Sequence, residues 1–205
     1  MLKLMVFERI KTVIQGLETA GISKERKFQL QKLADYIRKN GDKTTAVTFV
    51  CTHNSRRSIF CQVWAQTMAA YYNAPNFHSF SAGTETTQVY PGVLSALSKL
   101  GFKTLSLSES ENPIYAIKFS HTAVPILGFS KSMTHSINPT HDFAAIMTCS
   151  SADDACPQVE GADLRLAIPY EDPKIYDGSP LEQEKYEACC LLIAAEFNYL
   201  FKQLK

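Results

Sequence analysis

Cys51-Thr52-His53-Asn54-Ser55-Arg56-Arg57-Ser58 separates two stretches of different periodicity. Before it, Ala46-Val47-Thr48-Phe49-Val50 is β-branched and apolar, as a buried strand requires. After it, Ile59 to Tyr72 repeats apolar side chains at Ile59, Val63, Trp64, Met68 and Tyr71 with a helical period. The octapeptide is therefore expected at the C-terminal end of a strand and the start of a helix. The first amides of a helix have no intrahelical acceptor, and their partial positive charge favours an anion. A thiol with an ordinary pKa of about 8.5 falls to roughly 3.5–7.5 in such surroundings, so Cys51 reads as a nucleophile. Arg57 supplies a planar bidentate fork for two oxygens of a phosphate-like group. Ser58 is placed to hydrogen-bond the sulfur as it becomes or ceases to be a leaving group, and Asn54 tolerates the left-handed backbone of a tight cradle. Thr52, His53, Asn54, Ser55, Arg56 and Arg57 are the candidate oxyanion ligands. The Cys-x5-Arg spacing recurs by chance, and its weight comes from the flanking strand, the flanking helix and the adjacent hydroxyl.

Working outward, Val6 to Leu17 and Lys24 to Arg38 read as two amphipathic helices, with Leu30, Leu33 and Ile37 on one stripe of the second. Asn40-Gly41-Asp42 breaks from them into the first strand. Strands and helices alternate afterward, with a short helix from Pro91 to Leu100 ended by Gly101 and a long one from Leu181 to Leu204. That alternation predicts an α/β fold, a parallel sheet with helices on both faces, preceded by an N-terminal helical hairpin over residues 1–44. Ligands in such sheets bind beyond the strands' C-terminal ends, where Cys51 stands. The hairpin reads as a packing addition, with homodimer formation as its functional alternative.

Three segments in chain order, Cys51 to Ser58, Ser81-Ala82-Gly83 and Asp172-Pro173, resemble the low-molecular-weight tyrosine phosphatase family. The resemblance covers residues 45–205 and implies that Asp172 is the general acid protonating the leaving oxygen, with Glu171 the rival carboxylate. Met147-Thr148-Cys149-Ser150-Ser151-Ala152-Asp153-Asp154-Ala155-Cys156-Pro157 resembles, more specifically, the thioredoxin-coupled arsenate reductase branch of that fold. It implies Cys149 and Cys156 as resolving thiols and thioredoxin as reductant. Arsenate reduction consumes two electrons, so a second thiol must displace arsenite and leave a disulfide, and a third moves that disulfide outward. On a helix Cys149 and Cys156 would lie about 10.5 Å apart along the axis, whereas a disulfide needs Cα atoms within about 7 Å. The segment would have to unwind, and its Ser/Ala/Asp composition keeps that change inexpensive.

Departures from the family pattern are concentrated at the cradle. Arg56 stands where many members have a second cysteine, and His53 where glycine is usual. Gln62 stands where reductases of this type often carry a carboxylate near a cation site. The interval from Cys51 to Cys149 is also long, and the extra residues, Asn112 to Thr134, contain two short strand-like runs, 114–119 and 124–127. These runs would cover the cleft or extend a sheet edge, and Pro125 favours the edge.

Composition adds exclusions. A net charge of +1 gives no argument for nucleic acid, and no apolar run approaches the 18 residues of a membrane span. Six cysteines in 205 residues suit catalytic thiols in a reducing, cytoplasmic compartment better than a secreted disulfide framework. No CxxC pair or His-x3-His spacing suggests a metal, and no cofactor is implied. Three functions stay open: an arsenate reductase, a phosphatase acting on phosphotyrosine or small aryl phosphates, and a noncatalytic oxyanion-binding module.

Overall fold

The computed structural model describes residues 5–41 and 43–204; residues 1–4 of the N-terminal extension and Asp42 of the predicted break lie outside them. Four parallel strands form the main sheet in the order β2-β1-β6-β7: β1 is Thr45–Cys51, β2 Phe77–Gly83, β6 Phe143–Met147 and β7 Ala162–Ala167. Every residue of β1 is buried, the pattern of a central parallel strand covered on both faces. Val47 and Phe49 face a large core shared with α3 (Arg57–Tyr71) and α6 (Glu182–Lys202). The alternate residues Ala46 and Val50, with Cys51, face a smaller cluster with Ala82, Met147, Cys149 and Ala152. A six-residue helix, α5 (Ser150–Ala155), covers that second face, so the two faces are unequally dressed. Cys51 is on the thin side.

The N-terminal helices, α1 (Glu8–Gly16) and α2 (Lys24–Lys39), pack on α6 and put Ile10, Ile14, Leu30, Leu33 and Ile37 into the large core. Ser23 caps α2 by accepting from Arg26 N at 3.1 Å. α4 (Pro91–Lys99) carries proline in its first turn and ends at Gly101, whose φ is +103°. Gly101 N donates to Ser98 O at 3.0 Å and Phe102 N to Leu97 O at 3.1 Å, the paired bonds of a Schellman end. A Cβ on Gly101 would lie 2.8 Å from Arg9 Cβ, so glycine serves both the turn and the docking of α1.

The long interval does not extend the parallel sheet. β4 (Tyr115–Lys118) pairs antiparallel with both β3 (Lys103–Ser106) and β5 (Ile126–Gly128), forming a separate three-stranded sheet. β3, unforeseen in the sequence, supplies the missing partner. Pro125 immediately precedes β5, the edge strand of that small sheet, where a missing donor is tolerated. Ile117, Phe119 and Ile126 anchor it in the large core, and an isolated bridge joins Ser132 to Gly83. No helix among the described residues is long and apolar enough to cross a membrane.

Candidate active site

β1 delivers Cys51 to the sheet's C-terminal end, and the chain turns through residues 52–56 into α3. Asn54 adopts φ 47°, the left-handed conformation expected of it, and is fully buried. The loop's carbonyls are satisfied from outside. Cys51 O accepts from Thr84 N at 3.2 Å, Thr52 O from Glu85 N at 2.8 Å, His53 O from Ser130 Oγ at 2.7 Å and Ser55 O from Tyr90 N at 3.2 Å. The amides from His53 to Ser58, by contrast, donate to no acceptor among the described residues. A loop with its carbonyls turned out and a run of free amides ahead of a helix is a nest for an anion. Gly83 makes this approach possible: a Cβ there would lie 2.3 Å from Glu85 O and 2.8 Å from both Asn54 N and Thr52 O.

Within the cradle, Ser58 Oγ lies 3.1 Å from Cys51 Sγ and accepts from Asn54 Nδ2 at 2.8 Å. A hydroxyl accepting from an amide keeps its own proton for the sulfur. Asn54 is oriented in turn by Lys131 N, which donates to its Oδ1 at 3.1 Å. The two arginines diverge. Arg57 Nη2 forms an ion pair with Asp172 Oδ2, Nη1 donates to Tyr170 O at 3.1 Å, and Nε is buried without a partner among the described residues. An orphaned guanidinium N–H is a standing penalty that a bound oxyanion would remove. Arg56, grouped with the oxyanion ligands in the sequence, turns its guanidinium away to Asp177 and Tyr186. His53 sits at the rim, 3.2 Å from Glu85.

Asp172, and not the exposed Glu171, meets the cradle. It accepts from Lys174 N at 3.1 Å, capping the 3-10 turn Pro173–Tyr176. Its stem is braced from the N-terminal extension. Arg26 Nη2 donates to Pro169 O at 2.5 Å, Arg26 Nε lies 3.2 Å from Glu196, and Tyr170 OH donates to Glu196 Oε2 at 2.7 Å. Burial raises the pKa of both Tyr170 and Glu196.

Cys149 caps α5, its Sγ accepting from Ala152 N at 3.4 Å and lying 3.5 Å from Thr52 Oγ1. It is buried in the cluster that holds Cys51. Cys156 ends the same helix and is half-buried; Arg165 fastens the turn by donating to Cys156 O and Asp153 O, both at 2.8 Å. All six cysteines are free thiols. Cys61 and Cys190 lie in the large core, where burial pushes both thiols up; burial takes Cys189 to about 12.

Lys131 had no signature in the sequence. It follows the small sheet, is buried at 2% exposure, and places Nζ 3.1 Å from Ser81 Oγ and 3.4 Å from Phe129 O. Ser81 Oγ donates to Gln62 Oε1 at 2.6 Å, so a buried lysine and an amide occupy the region where the resemblance implies a carboxylate and a cation. Among the described residues no group of three His, Cys, Asp or Glu side chains is arranged to hold a metal.

No protein-family model and no curated protein matches the chain. Solved structures do. An arsenate reductase in its phosphate-binding state is 20% identical with a TM-score of 0.52, over 78% of this chain and 99% of that one. A low-molecular-weight phosphotyrosine phosphatase from Vibrio cholerae O395 is 18% identical with a TM-score of 0.54, over 78% and 95%. An arginine phosphatase from Geobacillus stearothermophilus is 17% identical with a TM-score of 0.50, over 78% and 92%. At such identities the likeness concerns the backbone: this chain has the low-molecular-weight tyrosine phosphatase fold that arsenate reductases share.

Proposed function

We propose that the protein is a thiol-dependent arsenate reductase, with Cys51 as nucleophile and Cys149 and Cys156 as resolving thiols. The observation that carries this reading is the position of Cys149: its sulfur lies beside Thr52 of the cradle, in one buried cluster with Cys51, at the head of a short helix that ends in Cys156. A phosphatase needs Cys51, Arg57 and an acid, but no second or third thiol.

In this reading the amides from His53 to Ser58 and the unpartnered Arg57 Nε receive the oxyanion. Arg57 is drawn from Asp172, and the freed carboxylate takes a proton from solvent and passes it to the departing oxygen as Cys51 attacks arsenic. Cys149 then attacks the Cys51 sulfur. The arsenic–sulfur bond breaks with its electron pair left on arsenic, giving arsenite and a Cys51–Cys149 disulfide. Cys156 attacks Cys149, releasing Cys51 as thiolate, and the Cys149–Cys156 disulfide passes to an external dithiol such as thioredoxin. Closing that last bridge requires α5 to unwind, because its two ends are about 10.5 Å apart along a helix.

The second reading, a phosphatase for phosphotyrosine or small aryl phosphates, is favoured by the Arg57–Asp172 arrangement, which serves hydrolysis equally well. Arsenate turnover coupled to thioredoxin, measured beside aryl phosphate hydrolysis, separates the two. Disulfide mapping after arsenate treatment should find Cys51–Cys149 or Cys149–Cys156. Neither bridge, together with phosphate release, would replace the reductase reading with the phosphatase one.

A further inference from the structure

We infer that Arg56 is a positioning residue that keeps the acid turn docked on the cradle while Arg57 is occupied by substrate. Two consecutive cradle residues grip opposite ends of one short turn. Arg57 holds Asp172 at its N-terminal end, and Arg56 holds Asp177 at its C-terminal end. The Arg56 grip is the more elaborate. Its Nη2 donates to Asp177 Oδ2 at 2.5 Å, its Nε donates to Tyr186 OH at 2.5 Å, and Tyr186 OH donates to Asp177 Oδ1 at 2.6 Å, closing a three-membered ring of hydrogen bonds. The guanidinium lies 4.2 Å from the Tyr90 ring centroid, and Tyr90 stacks on Tyr186. The Arg56 side chain is only 11% exposed, so the pair is largely withdrawn from solvent screening.

The two grips have different fates. The Arg57–Asp172 contact must open in each turnover, because Arg57 is wanted by the oxyanion and Asp172 by the leaving oxygen. No group in the Arg56–Asp177–Tyr186 ring is wanted by the reaction. That ring remains when the first grip opens, and the four residues between Asp172 and Asp177 form a hydrogen-bonded turn in which Asp172 caps Lys174 N and Asp177 N donates to Lys174 O at 3.0 Å. Holding Asp177 therefore limits how far the Asp172 carboxyl can drift. Lysine cannot reproduce this, since a single ammonium lacks the planar fork that meets a phenol and a carboxylate together.

The inference rests on the nucleophile-and-acid reading of the site, and the experiment is arranged to tell the two apart. Arg56→Lys and Asp177→Asn are compared with wild type on aryl phosphates of increasing leaving-group pKa, with phosphate inhibition measured in parallel. Loss of acid positioning should lower kcat for the poorest leaving group by on the order of tenfold to a hundredfold, with a much smaller loss for an activated phenol. The phosphate inhibition constant should change little, and the double variant should be no worse than the more damaged single one. Amide hydrogen exchange on the same variants should show faster exchange at Lys174 and Asp177 with the cradle unchanged. An equal kcat loss across all leaving groups, or unaltered kcat, would overturn the inference. Should wild type hydrolyse no aryl phosphate, the phosphatase reading fails separately, and unaltered exchange at Lys174 and Asp177 would by itself overturn the latch.

Discussion

Lys131→Met should stabilise the protein in a pH-dependent manner, because Lys131 is a buried amine whose polar neighbours are a hydroxyl and a carbonyl, with no carboxylate paired to it among the described residues. Burial lowers its pKa from the ordinary 10.5 to about 7. In the unfolded chain the group binds its proton up to about pH 10.5, whereas in the folded chain it releases it near pH 7. Between those values the unfolded state holds more protons, so wild-type stability rises with pH across this window and falls as pH drops toward 7. At about 1.36 kcal/mol per pH unit, the interval from pH 7 to 9.5 is worth roughly 3 kcal/mol. Methionine has no such dependence. Urea unfolding of both proteins under reducing conditions should therefore show the advantage of Lys131→Met over wild type shrinking by about 3 kcal/mol between pH 7 and pH 9.5. Methionine also loses the bonds to Ser81 Oγ and Phe129 O, which shifts the whole difference without changing its slope. Other titrating groups cancel between the two proteins. A difference flat across the window would refute the claim that Lys131 is buried behind the cradle without a compensating charge.

Gly83→Ala should destabilise the fold by about 1–3 kcal/mol and weaken phosphate binding, since the new methyl meets three backbone atoms at under 3.0 Å and the cradle must move; calorimetry and phosphate titration check it. Arg57→Lys should weaken oxyanion affinity by about tenfold or more, because one ammonium replaces the fork, and a near-native inhibition constant would remove Arg57 from that role. Asp172→Asn should lower turnover by on the order of a hundredfold with phosphate affinity largely kept, and a larger effect from Glu171→Gln would move the acid to Glu171. Cys149→Ser should prevent any protein disulfide with Cys51 after arsenate treatment, whereas Cys156→Ser should accumulate Cys51–Cys149. Mass mapping reads both, and identical maps would dissolve the distinction between the two thiols.

Much of this molecule is readable along the chain because its determinants are local. The switch from a β-branched run to a helical period at Cys51, the left-handed Asn54 and the glycine end of α4 each depend on a few adjacent residues, and β1, α3 and α4 form within a few residues of where that reading places them. The two N-terminal helices and the long α6 follow for the same reason, through the period of their apolar stripes. The order of chemical groups along the chain also placed cysteine, arginine and hydroxyl together, since a strand-to-helix turn keeps eight residues within one loop.

Pairing between distant segments is what the tertiary structure alone decides. The spacing from Cys51 singles out Arg57 but gives neither guanidinium its partner: one faces Asp172 and the other Asp177 and Tyr186, more than a hundred residues away. β3 lacks a strong strand signature and becomes one by pairing with β4, which turns the long interval into a separate sheet instead of an added edge. Lys131 reads as an ordinary surface lysine until the strap after β5 folds beneath the cradle and buries it. Propensity and periodicity act over a turn or two of chain, whereas side-chain partners are chosen by which faces the packed core brings together.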